Sequence, residues 1–244
     1  MSEFQLFLVI ASAFFGGAIN SVAGGGTFLL FPALIFGGIS PFSANILCSI
    51  GLWPATISSA IAYRHEFTTL NRAFKTMLVI SLVGSTIGTL ILLNTPEKTF
   101  ETLIPWLLLM ATAVFAFGKN VTFDKWKLPF WGISVIQFAI SIYGGYFGAG
   151  MGILMLAMLQ LMGMKNIHAM NAIKVILATA VNLAAICLFI LDGKIRWDVA
   201  VWIIPAAIAG GYVGANLALR MSPAKVRWVV ITIGAAMTVY FFAR

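Results

Sequence analysis

The chain has 244 residues, 61% of them hydrophobic and 9% charged, and a formal net charge of +8. Too few polar side chains are present to coat a water-soluble globule, so the composition excludes one and defines an integral membrane protein. The basic residues stand singly or in small groups between apolar runs, which is the pattern of membrane orientation and not of a nucleic-acid surface.

Apolar runs bounded by charges, glycines or prolines divide the chain into ten segments, at about 4–22, 26–36, 42–63, 73–93, 102–117, 129–147, 152–162, 169–191, 197–219 and 226–243. Most have the length of a helical span, about 20 residues, and none shows the roughly ten-residue alternation of outer-membrane strands. The expected fold class is therefore an all-α polytopic membrane protein. The second and seventh segments are too short, because about ten residues at 1.5 Å each cover roughly half of a ~30 Å hydrocarbon core. Both read as half-helices, short or re-entrant. Each follows a glycine run, Gly24-Gly25-Gly26 in one case and Gly148-Ala149-Gly150-Met151-Gly152 in the other. Glycine lets the backbone leave the helix, and irregular backbone at membrane depth is tolerated only where it is buried in protein or lines a cavity. Met1-Ser2-Glu3 carries no positive n-region, so the first segment reads as a retained span and not as a cleaved signal peptide.

Sliding the chain on itself by 126 residues aligns Gly24 with Gly150, Gly26 with Gly152, Gly37 with Gly163, Asn45 with Asn171, Gly84 with Gly210 and Gly88 with Gly214 in one ungapped register. Glycine and asparagine pairs in register point to an internal duplication. The expected organisation is one membrane domain made of a first repeat over 1–118, a cytoplasmic linker over 119–128 and a second repeat over 129–244. Alternating segments place Arg64, Arg72, Lys75, Lys119, Lys125, Lys127, Lys165, Arg220, Lys225 and Arg227 on one side. The other side receives Lys98, Lys194, Arg196, Arg244 and most of the acids. The positive-inside rule makes the first side cytoplasmic and both termini periplasmic. Five segments per copy then invert one repeat relative to the other. Re-entrant hairpins at the glycine runs would leave every later loop on the same side, so the charges do not separate the two pictures.

The stretch Gly16-Gly17 to Ala23-Gly24-Gly25-Gly26, with Phe31-Pro32 and Pro41-Phe42-Ser43-Ala44-Asn45, resembles the TauE/SafE family. So does Gly144-Gly145 to Gly148-Ala149-Gly150-Met151-Gly152, with His168-Ala169-Met170-Asn171, although this copy carries Met151 inside its glycine run and has no counterpart to Pro32. The resemblance covers essentially the whole chain. It implies a multi-pass permease or exporter of the bacterial cell inner membrane, handling sulfur-containing anions such as sulfite, sulfonates and sulfoacetate.

Inverted repeats broken at corresponding places are the sequence sign of a secondary transporter with its site between the repeats. A half-helix that begins after a glycine run aims unpaired N–H groups and a positive dipole end inward, which suits a small anion. Candidate substrate-binding residues are Asn20, Gly24, Gly25, Gly26, Thr27, Asn45, Gly150, Gly152, Asn171 and Lys174. The glycines also have a plain reading as helix-packing residues, the only one given to Gly84-x-x-x-Gly88 and Gly210-x-x-x-Gly214. Lys174 is the one formal charge well inside a span. At that depth a lysine costs about 2.5–3.5 kcal/mol on insertion scales, so it either meets an anion or snorkels to the interface from about 9 Å inside its helix. Asn45 and Asn171 either face the substrate or make capping and interhelical bonds. Thr179 and Asn182, beyond Lys174 on the same span, are second-tier candidates.

His65 and His168 read as interfacial, Cys48 and Cys187 as small apolar fillers, and Trp53-Pro54 as a kink. No metal site and no cofactor is expected. No Asp or Glu falls deep in a span, which disfavours a carboxylate proton relay. The leading expectation is an anion transporter working by alternating access, not an enzyme, with the lipid bilayer and a small anionic substrate as partners and a homodimer left open. The alternatives are a non-transporting membrane accessory subunit and a membrane-embedded enzyme; the latter would need a nucleophile with its base or a metal set that the spans do not offer.

Overall fold

The structure, a computed structural model, describes residues 1–62, 72–117, 128–164, 166–217 and 223–243. Regular structure among them is entirely helical: α1 Glu3–Ala23, α2 Thr27–Phe36, α3 Pro41–Ala62, α4 Arg72–Asn94, α5 Glu97–Phe117, α6 Phe130–Tyr146, α7 Met151–Leu161, α8 Ile167–Asp192, α9 Trp197–Leu217 and α10 Pro223–Ala243. Among the described residues, four stretches are long and apolar enough to cross a membrane, Glu3–Ser21, Ala73–Asn94, Ala169–Asp192 and Trp197–Gly214. The linker expected at 119–128 lies outside the described residues except for Leu128, and so do Arg64, His65, Lys119, Lys125, Lys127, Lys165, Arg220 and Arg244.

Local chemistry sets the helix ends. Ser2 Oγ accepts the Gln5 N–H at 3.3 Å while Gln5 Oε1 accepts the Ser2 N–H at 2.8 Å, a capping box that starts α1. α5 begins at Glu97, five residues before its apolar run; Pro96 O accepts the Phe100 N–H at 3.0 Å and Glu97 places an acid in the first turn. α1 ends at Gly24, whose φ of +73° places it in the left-handed region that closes helices.

Each short helix folds back along its predecessor. Gln5 Nε2 donates to Phe36 O at 3.0 Å, and the Leu128 N–H donates to Leu161 O at 3.2 Å, so α2 and α7 return to the level at which α1 and α6 begin. The α1–α2 and α6–α7 pairs are therefore hairpins with the glycine runs at their tips. Two further facts place ends together: Lys194 Nζ lies 5.5 Å from the Phe42 ring centre and 3.0 Å from Asp192 Oδ2, which puts the α8–α9 loop beside the start of α3.

The long helices pack across the chain. α4 lies on α6 and α8, α9 lies on α1 and α3, α5 pairs with α10, and α3 crosses α8. Glycine permits the two closest crossings: a Cβ on Gly88 would run into the Ile142 carbonyl, and one on Gly214 into the Ala18 backbone. Both G-x-x-x-G stretches are thus packing contacts, as read from the sequence. At the α4–α6 crossing a polar seam is buried. Gln137 Nε2 donates to Ser81 Oγ at 2.8 Å and to Ser141 Oγ at 3.2 Å, and the two hydroxyls donate at 2.7 Å to Met77 O and Gln137 O. Within α3, Trp53 precedes the internal Pro54 and its Nε1 donates to Thr179 O on α8 at 3.2 Å. Pro54 has no amide hydrogen, so α3 lacks one internal bond at this crossing.

Candidate functional site: a cationic cavity between two glycine turns

The two hairpin tips touch. A Cβ on Gly24 would stand 3.3 Å from Gly152 Cα, and one on Gly152 would stand 3.4 Å from both Gly24 Cα and Lys174 Cδ. Gly24 and Gly150, matched in the 126-residue register, share left-handed φ values of +73° and +76°. Any L side chain there would be strained, which accounts for glycine at both positions. The first bonds of α2 run from Phe28 N–H to Gly25 O and from Leu30 N–H to Gly26 O, each 3.1 Å, and those of α7 from Met151 N–H to Gly148 O at 3.2 Å and from Ile153 N–H to Gly150 O at 3.0 Å. Two helix N-termini, with their positive dipole ends, are thereby brought together at the tips. Tyr143 Oη donates to Ala149 O at 2.6 Å and braces the second turn.

Beside the tips lies a cavity of about 50 Å³. One water needs roughly 10–15 Å³, so the space suits a small anion or a few waters. Its walls are Asn20, Gly24 and Thr27 from the first hairpin, Phe147, Gly148, Met151 and Gly152 from the second, Cys48, Ser49, Leu52 and Thr56 from α3, and Lys174, Val175, Ala178 and Asn182 from α8. Lys174 is 2% exposed and its Nζ donates to Asn171 Oδ1 at 2.9 Å. Of the two placements left open by the sequence, the lysine takes the inward one. A buried ammonium with one neutral acceptor and two helix N-termini beside it makes the cavity electropositive.

Of the sequence-derived candidates, Asn20, Gly24, Thr27, Gly152 and Lys174 line this cavity, and Asn171 touches it through Lys174. Gly25 and Gly26 lie in the first turn, where Gly26 packs on the Gly16 carbonyl; Gly150 caps α7 against Ala111. Asn45 makes an interhelical bond: its Nδ2 donates to Tyr146 O at 2.9 Å, and its Oδ1 is buried without a partner. Asn182 reaches the wall as its spacing from Lys174 suggests, whereas the Thr179 hydroxyl turns back to Val175 O at 2.8 Å. Cys48, read as filler, is buried and also forms wall, as do Ser49, Leu52 and Thr56, none of which was singled out. The signal that finds them is the register itself: 48, 49, 52 and 56 are the 126-residue counterparts of 174, 175, 178 and 182.

Before the start of α9, Arg196 Nε and Nη2 donate to Asp198 at 2.9 and 2.6 Å, which holds the guanidinium above its usual range. Both groups are solvated, so the pair contributes little to stability.

A chain of apolar helices that encloses an electropositive cavity between two broken-helix turns has the form of a multi-pass membrane transporter. It belongs to the sulfite exporter TauE/SafE family, whose model matches residues 9–241. It is similar to a probable membrane transporter protein of Haemophilus influenzae, 27% identical over 96% of this chain and 92% of that protein. Similar, too, are the probable membrane transporter protein YfcA of Escherichia coli K12, 26% identical over 98% and 90%, and the probable membrane transporter protein ORF9 of a Sinorhizobium species, 27% identical over 97% and 92%.

Proposed function

We propose that this protein is a secondary transporter, an exporter or permease of small sulfur-containing or other organic anions such as sulfite or sulfonates, working by alternating access between two inverted repeats. The observation that carries the reading is the cavity in which the buried Lys174 ammonium and both glycine turns converge. The anion takes its charge partner from Lys174 and its orientation from the Thr27 and Gly152 N–H groups at the starts of α2 and α7, with the Asn20, Thr27 and Asn182 side chains as further donors.

The inverted-repeat part of the reading has its own support. α3 and α8 line the cavity with four residue pairs each 126 apart, Cys48 and Lys174, Ser49 and Val175, Leu52 and Ala178, Thr56 and Asn182. Trp53 and Thr179, the same distance apart, touch each other. The packing of α1 on α9, α3 on α9 and α1 on α2 has a counterpart in α6 on α4, α8 on α4 and α6 on α7. Repeats over 1–118 and 129–244 fit this scheme, as do hairpins entering from opposite membrane faces with both termini on the periplasmic side of a bacterial inner membrane. Outward movement of an anion is favoured by about 2.3 kcal/mol per charge per 100 mV in a cell negative inside, so export needs no carboxylate relay. The protein acts alone or as a homodimer.

Purified protein in liposomes tests this directly: sulfite or methanesulfonate loaded inside should exchange with labelled anion outside faster than in protein-free vesicles. Bulky substitution at Gly25 or Gly150 should abolish the difference. Equal exchange with and without protein, across several small anions, would leave the accessory-subunit reading in its place.

A further inference from the structure

The cavity walls from α3 and α8 are not chemically equal, and one turn before Cys48, off the wall itself, the inequality leaves an atom without a partner. Asn171 Oδ1 receives the Lys174 ammonium at 2.9 Å. Asn45, its counterpart in the first repeat, has an Oδ1 that is buried, in a residue 1% exposed, and accepts nothing. The reason lies three residues on, where the counterpart of Lys174 is Cys48. A buried amide oxygen without a donor is costly; Gln137 Oε1 in the α4–α6 seam is another, but Asn45 Oδ1 has a register counterpart, Asn171 Oδ1, whose place for a donor is filled by an ammonium.

The surroundings specify the chemistry of the missing group. Asn45 Nδ2 is bonded to Tyr146 O, the carbonyl of the last residue of α6, so the free oxygen sits at the C-terminal, negative end of that helix. At the other hairpin, Lys174 packs with its Cδ against Gly152 at the tip that also holds Gly24, the C-terminal cap of α1. An ammonium thus stands by the end of α1, and no described positive side chain lies among the cavity-lining residues on the α3 side. A free amide oxygen at a helix C-terminus favours a small monovalent cation, and ends of broken helices are where such ions settle in transporters.

We propose that a monovalent cation binds beside Asn45 Oδ1 at the C-terminal end of α6, in the place that the Lys174 ammonium takes in the second repeat. The inference rests on the transporter and inverted-repeat reading above. The cation would be the coupling ion and would travel with the anion: a monovalent anion then crosses without net charge and follows the ion's gradient, whereas a divalent one still moves one net charge along the membrane potential.

The experiment uses the full chain in two forms. In detergent, the thermal unfolding midpoint is followed in sodium, potassium or choline chloride at equal ionic strength, and a concentration-dependent rise with one alkali cation, absent in Asn45→Ala, is expected. In liposomes, anion exchange is measured with the same three salts on both sides, and separately with choline and an imposed pH gradient. The cation should raise exchange about tenfold, the worth of one charge-assisted contact. Stimulation by the pH gradient alone that is lost in Asn45→Ala would identify hydronium as the occupant, and stimulation that survives there would overturn the inference. Cys48→Lys, which supplies an ammonium where Asn45 Oδ1 awaits one, should exchange anion without need of the cation. Anion exchange that is equally fast in every salt and indifferent to pH would overturn the inference and leave the transporter reading intact; so would a cation response that survives in Asn45→Ala. No exchange under any condition would instead count against the transporter reading, with the unfolding series still deciding whether the ion binds.

Discussion

Replacing Lys174 by methionine separates what the residue does for the fold from what it does for an anion. The side chain is 2% exposed, with one recorded bond, from Nζ to Asn171 Oδ1. Methionine keeps the unbranched shape and removes the charge, which relieves a burial cost of about 2.5–3.5 kcal/mol. It also strands Asn171 Oδ1, at a cost of about 1–3 kcal/mol. The two effects nearly cancel, so Lys174→Met should unfold in a detergent titration within about 2 kcal/mol of wild type, and on the stable side. Binding should behave otherwise, because a charge-assisted hydrogen bond of about 1.5–3 kcal/mol disappears and the anion affinity falls roughly 10- to 150-fold. Calorimetric titration with sulfite or methanesulfonate reads this second quantity. A variant that binds the anion as tightly as wild type, or one that loses several kcal/mol of stability, would refute the reasoning: the first makes the ammonium irrelevant to the ligand, the second makes it a structural tie.

Four further outcomes follow from the contacts of single residues. Gly88→Ala and Gly214→Ala each drive a methyl group into the backbone of a crossing helix and should lose about 1–3 kcal/mol in the same titration; Gly132→Ala, whose Cβ would approach nothing closer than Leu128 Cβ at 3.8 Å, should gain about 0.5–1 kcal/mol by removing a flexible residue from α6. Gln137→Leu should leave stability within about 1 kcal/mol of wild type or raise it, because the buried Gln137 Oε1 has no partner and the Ser81 and Ser141 hydroxyls keep their own carbonyl acceptors; a large loss would show that the seam holds the crossing together. Leu52→Ala equalises position 52 with its counterpart Ala178 and enlarges the cavity by about three carbons, at about 2–5 kcal/mol in stability. Competition in the exchange assay should then shift from methanesulfonate toward longer alkanesulfonates, and an unchanged order would remove Leu52 from the wall that limits substrate size.

The sequence made the elements legible because apolar length and glycine interruptions act locally. The segment at 26–36 became α2 and the one at 152–162 became α7, each within a residue of expectation. Lys174 was legible because one charge in an apolar run has few places to go. Cys48 and Leu52 were not, since an apolar side chain in an apolar span carries no sign of the cavity it borders until the register with Lys174 is applied to it. The partners of the long helices were also hidden. α4 and α9 are apolar enough that lipid and protein are equally good neighbours, and the glycines of Gly84-x-x-x-Gly88 announce a close crossing without naming α6 as the helix crossed. Asn45 shows the converse: its two readings, substrate contact or interhelical bond, required coordinates to separate, and the bond to Tyr146 O answers for only one end of the amide.

The packing of α9 on α1 has a consequence for how the molecule comes into being. Synthesis delivers α1 first and α9 almost last, so the first helix enters the bilayer long before its principal partner exists. During that interval Gly17, whose missing Cβ leaves room for the Ala207 carbonyl, must face lipid or a temporary companion. The first half of the chain cannot finish folding before α9 is made, and a truncation ahead of residue 197 leaves α1 without that partner, however intact the remaining helices are. Assembly stays open until α9 has met α1 and α10 has met α5, and its fidelity depends on keeping early helices available for late ones.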